Sequence, residues 1–176
     1  MPGNIEIKAR LRDRVAAHAT AAQLSGTGPE IIPQTDIFFR SEGARLKLRI
    51  LAPDRGELIR YERADAAEAR RSEYTIARTS DPRNLEEILT AALGSTGTVT
   101  KTRSLYLAGQ TRIHIDEVEG LGDFLELEVV LRPGQSDAEG RRVATRLLRE
   151  FDIDEHQLIA RAYVDLLASA RSTLNE

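Results

Sequence analysis

The chain has no cysteine among its 176 residues. Disulfides and thiolate metal sites are therefore excluded. No apolar run reaches the roughly 20 residues a membrane-spanning helix needs, and the N-terminus lacks the apolar core of a signal peptide. These absences predict a soluble cytoplasmic protein with no membrane partner. A strong charge excess of one sign is also missing. Lys and Arg number 25 against 28 Asp and Glu, a net charge of -3. A dedicated nucleic-acid binder would be strongly basic, so no nucleic-acid partner is expected. No phosphate-binding G-x-x-x-x-G-K-S/T occurs, and Gly120-Leu121-Gly122 reads as a turn. No linker, repeat or low-complexity stretch divides the chain, and its length suits one domain over residues 1–176.

What the chain does have is charge in strands. Charged residues make up 30% of it, above the usual quarter. Alternation predicts strands at Asn4–Leu11, Thr35–Arg40, Arg45–Leu51, Glu57–Arg63, Ser72–Arg78, Thr98–Leu107, Thr111–Val118 and Phe124–Leu131. Short turns such as Pro53-Asp54-Arg55-Gly56 and Ala108-Gly109 make neighbouring strands mostly antiparallel. Helices are predicted after Asp13 (through Leu24, stopped by Gly26), at Pro82–Leu93 before Gly94, and at Arg141–Phe151 behind a Ser136/Glu139 capping box. A last helix is predicted from Asp154 onward, with Leu158, Ala162, Asp165 and Leu166 near one face. Its apolar residues serve either a homodimer or the domain's own surface. The class is α+β, with eight strands and about four helices.

The strands share a peculiarity. In Leu125-Glu126-Leu127-Glu128-Val129, the two glutamates point to one face about 7 Å apart, where they repel unless a cation compensates. Arg45, Lys47 and Arg49 share one face of their strand, opposite Leu46, Leu48 and Ile50. Glu6, Lys8 and Arg10 share a face, as do Lys101 with Arg103, and Arg112 with His114 and Asp116. Two arrangements satisfy this pattern. In the commoner one the apolar faces form the core and the charges are solvated. In the other the sheet closes into a barrel with its charges inside, where they must neutralise one another and a ligand.

In sequence order these motifs resemble the CYTH family, the triphosphate tunnel metalloenzymes, over roughly residues 3–168. That family includes class IV adenylate cyclases, thiamine triphosphatases and inorganic triphosphatases. Its E-x-E-x-K strand corresponds to Asn4-Ile5-Glu6-Ile7-Lys8, and its basic strand to Arg45-Leu46-Lys47-Leu48-Arg49. Glu57–Arg63 is similar to the strand that follows, and Lys101-Thr102-Arg103 to its K-x-R strand. Asp116, the glycine turn, and Glu126 with Glu128 complete the series before Tyr163-Val164-Asp165-Leu166-Leu167. Gln34–Phe39 resembles a strand of the class IV cyclase-like branch. One position departs, because Asn4 stands where the family has its first glutamate. Asn offers a hard cation a carbonyl oxygen without charge. The His-Phe pair that precedes this motif in some cyclases is also missing.

The resemblance implies the inward-charge arrangement, a closed eight-stranded antiparallel β-barrel with helices packed outside. It implies Mg²⁺ or Mn²⁺ held by Glu6, Asp116, Glu126 and Glu128. It implies a triphosphate cradled by Lys8, Arg45, Lys47, Arg49, Lys101, Arg103 and Arg112, with Lys8, Lys101 and Arg103 in catalytic roles. Arginine forks suit bidentate phosphate contact, whereas lysines act as point charges. Asn4, Arg63, Arg71, Glu73 and His114 are further tunnel candidates. His114 reads more readily as a satisfied interior residue than as a base, His18 and His156 as surface residues, and Arg10 as either a mouth residue or a solvated one. The substrate implied is a small triphosphate: ATP, tripolyphosphate or thiamine triphosphate. Three activities compete. A cyclase would convert ATP to cyclic AMP and pyrophosphate. A hydrolase would release orthophosphate. A non-enzymatic sensor, suggested only by Asn4, would bind without turnover.

Overall fold

The computed structural model describes residues 4–62 and 70–173; the side chains of residues 70–73 and 173 lie outside that description. Eight strands run β1 Asn4–Arg10, β2 Glu30–Phe39, β3 Arg45–Ala52, β4 Arg55–Glu62, β5 Arg70–Thr79, β6 Ser95–Ala108, β7 Thr111–Val118 and β8 Gly122–Val130. The helices are α1 Arg14–Ser25, α2 Pro82–Leu93, α3 Asp137–Glu150 and α4 Tyr163–Thr173. The strands pair antiparallel in the order β1-β5-β4-β3-β2-β6-β7-β8 and close into a barrel. The β1–β8 seam is continuous from Asn4–Val130 to Arg10–Phe124. The β1–β5 seam is shorter, with Asn4, Ile5 and Glu6 facing Ser72, Arg71 and Arg70.

The apolar faces turn outward and are covered by helices. Ile5, Ile7, Ile113, Ile115, Leu125, Leu127 and Val129 form one buried cluster with Ala17 and Ala21 of α1 and with Ala144, Leu147 and Leu148 of α3. The helix α3 comes close to β1 because Gly140 has no side chain. A Cβ there would stand 2.7 Å from Ile5 Cγ1 and 2.6 Å from Leu131 Cδ2. On the other side, Leu85 and Leu89 of α2 pack on Ile37, Phe39 and Leu48. Caps fix the helix starts: the Asp13 carboxylate accepts from Ala16 N at 2.9 Å, and Ser136 with Glu139 forms the expected capping box.

The largest departures from the sequence expectation are at the starts of β2, α3 and the last helix. β2 begins at Glu30 and runs through Pro33. It pairs with β3 only from Thr35 onward, so its first half is an edge on that side, where a residue without an N–H is tolerated. The helix α3 begins at Asp137, directly after its cap, and not at Arg141. The last helix is interrupted. Asp154 caps a short 3₁₀ turn, Glu155–Gln157, and α4 starts only at Tyr163. Between them the chain bonds to the end of β1. Leu158 bridges to Ala9, Ile159 N donates to the Lys8 carbonyl at 2.9 Å, and the Gln157 amide donates to the Arg10 carbonyl at 3.0 Å. Those backbone partners outcompete helix continuation. Among the described residues no helix is long and apolar enough to cross a membrane.

Candidate active site

Because successive side chains of a strand alternate, the helix-covered outer face leaves the charged residues pointing into the barrel. They line one cavity of about 760 Å³. Asn4, Glu6 and Lys8 come from β1, Lys47 and Arg49 from β3, and Lys101 and Arg103 from β6. Arg112 and His114 come from β7, and Glu126 and Glu128 from β8. Phe38, Val99, Phe124, Ala162 and Tyr163 pack together at the α4 end, where the Phe124 and Tyr163 rings lie 4.8 Å apart.

Two Lys-x-Arg pairs each hold an aspartate of the adjacent strand. Lys101 Nζ donates to Asp116 at 2.7 Å, and Arg103 grips both carboxylate oxygens at 2.7 Å. The Tyr163 hydroxyl donates to the same carboxylate at 3.1 Å. In the second clamp, Lys47 Nζ donates to Asp36 at 2.6 Å and Arg49 contacts both oxygens at 2.8 and 3.1 Å. With its amide oxygen turned to Arg49, Gln34 accepts from the guanidinium at 3.1 and 3.2 Å.

The glutamates are held differently. Glu126 lies 3.4 Å from Lys8 Nζ, 3.3 Å from Arg103 Nη2 and 3.4 Å from His114 Nδ1. Glu128 accepts two bonds from Arg112, at 2.8 and 2.9 Å, and one from the Asn4 amide. Lys8 also sits 4.0 Å over the Tyr163 ring, a cation–π contact.

The electrostatics follow from burial opposed by counter-charge. Burial would raise the Asp36 and Asp116 carboxyls, but Lys47 with Arg49, and Arg103 with Lys101, hold both well below the ordinary carboxylate range. Burial likewise opposes ionisation of Glu126, and Arg103 and Lys8 overcome it. Lys47 goes the other way: burial, then Arg49, push its ammonium down to about 7 despite Asp36. Burial and Arg103 lower Lys101 and His114, and burial with Asp116 keeps the Tyr163 phenol protonated.

Not every expected residue belongs to this lumen. Asp116 was expected to ligate metal. Instead it is 0% exposed, does not line the cavity, and has both oxygens engaged by Lys101, Arg103 and Tyr163. Its place is that of an anchor for two cations. Arg45 was expected on the phosphate, but at the first position of β3 it lies outside the cavity, and Nη2 donates to Asp165 of α4 at 2.8 Å. Arg63 lies outside the described residues, as do the side chains of Arg71 and Glu73. Arg10 sits at the rim, donating to the Leu121 carbonyl at 2.8 Å. His18 is more engaged than a surface residue, with Nδ1 2.8 Å from the Tyr106 hydroxyl.

Sequence reasoning missed Asp36 and Tyr163 as interior groups. For Asp36 the signal was available, since it shares parity with Phe38 and Gln34 on a strand next to Lys47 and Arg49. Tyr163 carried no such signal, because it reaches the lumen from a helix start.

The sequence matches the CYTH domain over residues 3–163. The chain belongs to the CYTH domain family. Solved structures share this CYTH fold at low identity. PH1012 from Pyrococcus horikoshii OT3 superposes with a TM-score of 0.83 at 21% identity, covering 93% of this chain and 99% of that one. A conserved hypothetical protein of Pyrococcus furiosus gives 0.79 at 20% identity, covering 93% and 99%. A Vibrio parahaemolyticus protein provisionally described as an adenylate cyclase gives 0.72 at 19%, covering 94% and 97%. No curated protein sequence is significantly similar.

CYTH enzymes generally use divalent metals, and the lumen of this chain fits that chemistry. Glu6, Glu126 and Glu128, among the carboxylates that line it, offer oxygen ligands suited to a hard cation. Asn4 Oδ1 is buried without a hydrogen-bond partner, an unsatisfied acceptor beside Glu128. Among the described residues no three His, Asp or Glu groups converge tightly enough to cage an ion alone. Mg²⁺ is commonly held by one or two carboxylates plus substrate phosphates and water, so this sparse set suffices.

Proposed function

We propose that this protein is a metal-dependent enzyme acting on a triphosphate bound in the lumen, in the manner of a class IV adenylate cyclase. One observation carries the reading. Lys8, Lys47, Arg49, Lys101, Arg103 and Arg112 face a single cavity beside the carboxylates Glu6, Glu126 and Glu128. A triphosphate brings roughly four negative charges, its last ionisation lying near pH 6. The cations compensate that charge, and the carboxylates take the counter-ion. Mg²⁺ or Mn²⁺ would be held by Glu6, Glu126 and Glu128 with the Asn4 carbonyl, and would stabilise charge developing on phosphate oxygens.

In the cyclase reaction the ribose 3′ oxygen attacks the α-phosphorus of ATP. Its proton passes to solvent or a nearby base, and the bond to the bridging oxygen breaks with release of pyrophosphate. Arg49, Arg103 and Arg112 orient the chain by bidentate contact; Lys8, Lys47 and Lys101 supply point charge. The packed layer at Phe38, Val99 and Tyr163 limits water on that side. A second reading, hydrolysis of tripolyphosphate, thiamine triphosphate or a nucleotide, is favoured by the same cation set, which is directed at phosphate and needs no nucleoside.

The experiment is one reaction resolved by product. Protein with Mg²⁺ or Mn²⁺ is given ATP and, in parallel, tripolyphosphate. Cyclic AMP with pyrophosphate establishes the cyclase, and orthophosphate alone establishes the hydrolase. Neither product from folded protein overturns both and points to a sensor. The cleaner metal test is Glu128→Gln, because Glu128 pairs with the more exposed Arg112, whereas Glu126 neutralises the buried Lys8 and Arg103. We expect E128Q to remain folded and lose metal-dependent turnover by at least about a hundredfold, as removal of one preorganised electrostatic group commonly does. Full activity with unchanged metal dependence would refute the assignment.

A further inference from the structure

Of the 25 Lys and Arg residues only three are lysine: Lys8, Lys47 and Lys101. All three line the lumen. Each also lies within reach of an aromatic ring. Lys47 Nζ is 5.7 Å from the Phe38 ring centre and 5.6 Å from that of Tyr61. Lys8 and Lys101 share one ring. Their ammonium groups lie 4.0 and 4.9 Å from the centre of Tyr163, and so within about 9 Å of each other.

The ring is fastened where it meets them. Leu158 bridges to Ala9 and Ile159 N donates to the Lys8 carbonyl, so the segment leading to Tyr163 is tied to the backbone of Lys8 itself. At the start of α4, Val164 packs on β6 because Gly97 leaves room; a Cβ there would stand 2.6 Å from Val164 Cγ2. Gly97 precedes Lys101 on the same strand. The Tyr163 hydroxyl is bonded to Asp116, and the ring packs on Phe124. One side chain thus connects β1 and β6, strands that do not pair with each other.

Lys8 and Lys101 are 3% and 5% exposed. Two buried ammonium groups repel, and burial disfavours the charge of each. Glu126 lies 3.4 Å from Lys8 and Asp116 2.7 Å from Lys101, but a carboxylate cancels charge that a phosphate would use. A ring face attracts a cation through its quadrupole and adds no negative charge. Burial and Asp116 keep the Tyr163 phenol protonated, so the ring stays neutral.

We propose that Tyr163 is a positioning residue, whose ring holds the ammonium groups of Lys8 and Lys101 in place for a phosphate in the lumen and supports turnover through them. The inference rests on the triphosphate reading above. It gives α4 a part in the chemistry, carried by the ring face and separate from the hydroxyl's bond to Asp116.

The test compares Tyr163→Leu, which keeps apolar bulk and removes the ring, with Tyr163→Phe, which keeps the ring and removes the hydroxyl. With ¹³C-labelled lysine, the protein gives an ε-methylene signal for each of its three lysines. Protons over a ring face resonate upfield, so the wild-type Lys8 and Lys101 signals should lie upfield of free lysine. They should move toward free lysine in Y163L and stay in place in Y163F, while Lys47 stays in place in both. Turnover of ATP or tripolyphosphate with Mg²⁺ or Mn²⁺ should lose about tenfold in kcat per folded molecule in Y163L, with KM changed less than about twofold. Y163F should recover most of that loss. Lys8 and Lys101 signals at the free-lysine position in the wild type, or unmoved in Y163L, overturn the proposal. An equal kcat loss in Y163F also overturns it, since the hydroxyl would then carry the effect. The spectra need no substrate, so these outcomes leave the triphosphate reading intact. If the wild type turns over neither compound, the triphosphate reading fails and this proposal fails with it.

Discussion

The barrel contains the same device twice: Lys101-Thr102-Arg103 on β6 clamps Asp116 of β7, and Lys47-Leu48-Arg49 on β3 clamps Asp36 of β2. Contact distances are alike, but the surroundings are not. Asp116 is sealed completely, and Tyr163 of α4 caps its carboxylate. Asp36 has no such cap; it faces the cavity, and its lysine lies near the aromatic rings of Phe38 and Tyr61. The consequence is a difference in access to the cavity. The Asp116 carboxylate is capped and shut off from the cavity, and burial with Arg103 lowers its Lys101. The Asp36 clamp opens on the cavity and contains a lysine held down to about 7, so its charge changes near neutral pH. A shared local motif thus yields a sealed, capped anchor in one place and, in the other, a clamp open to the cavity.

The comparison can be broken most forcefully at the aspartates. Asp116→Asn leaves Lys101 and Arg103 buried with much less counter-charge, and breaking a buried ion pair costs about 3–5 kcal/mol. Urea unfolding should show a loss of that size. Asp36→Asn should lose less, because that clamp opens on the cavity, where water can solvate Lys47 and Arg49. Equal losses would erase the distinction between the two clamps. Next in size is Tyr163→Phe. It removes one hydrogen bond to a charged carboxylate, and about 1–2 kcal/mol should disappear from the unfolding free energy while the barrel is kept. No change would mean that the cap contributes packing alone.

The smallest effect is on pH dependence. Lys47 is protonated below about 7, where it would attract the phosphate of the proposed substrate, and loses that charge as pH rises through it. The free-enzyme profile of kcat/KM should therefore fall on the alkaline side of about 7. Lys47→Arg, whose guanidinium stays charged, should flatten that limb. A profile unaltered by K47R would assign the limb to another group.

Much of this was legible from residue order. Alternation located all eight strands, most clearly β1, β3 and β8, where one face is apolar and the other carries the charges. Asp13, Asp81 and Ser136 marked three helix starts because capping chemistry is local. The end of the chain was not legible: Leu158–Ala162 is divided from α4 by bonds to Lys8, Ala9 and Arg10, which are remote in sequence. The same limit applied to the interior. Asp116 and Glu126 are both acidic, lumen-parity residues, yet one is consumed by three donors and the other lines the cavity. Arg45 shares a face with Lys47 and Arg49 but lies at the strand's end, where Asp165 intercepts it.

By itself the sequence determined the period of each strand, the separation of charge from apolar residues onto opposite faces, and the caps, because these depend on neighbours within a few positions. It left open which face would be the inside. Only tertiary structure decided that, by closing β1 on β5 and β8 and laying α1, α2 and α3 on the apolar exterior. Closure also set which cation meets which carboxylate, since such pairs lie on different strands and their distances follow from the barrel's register.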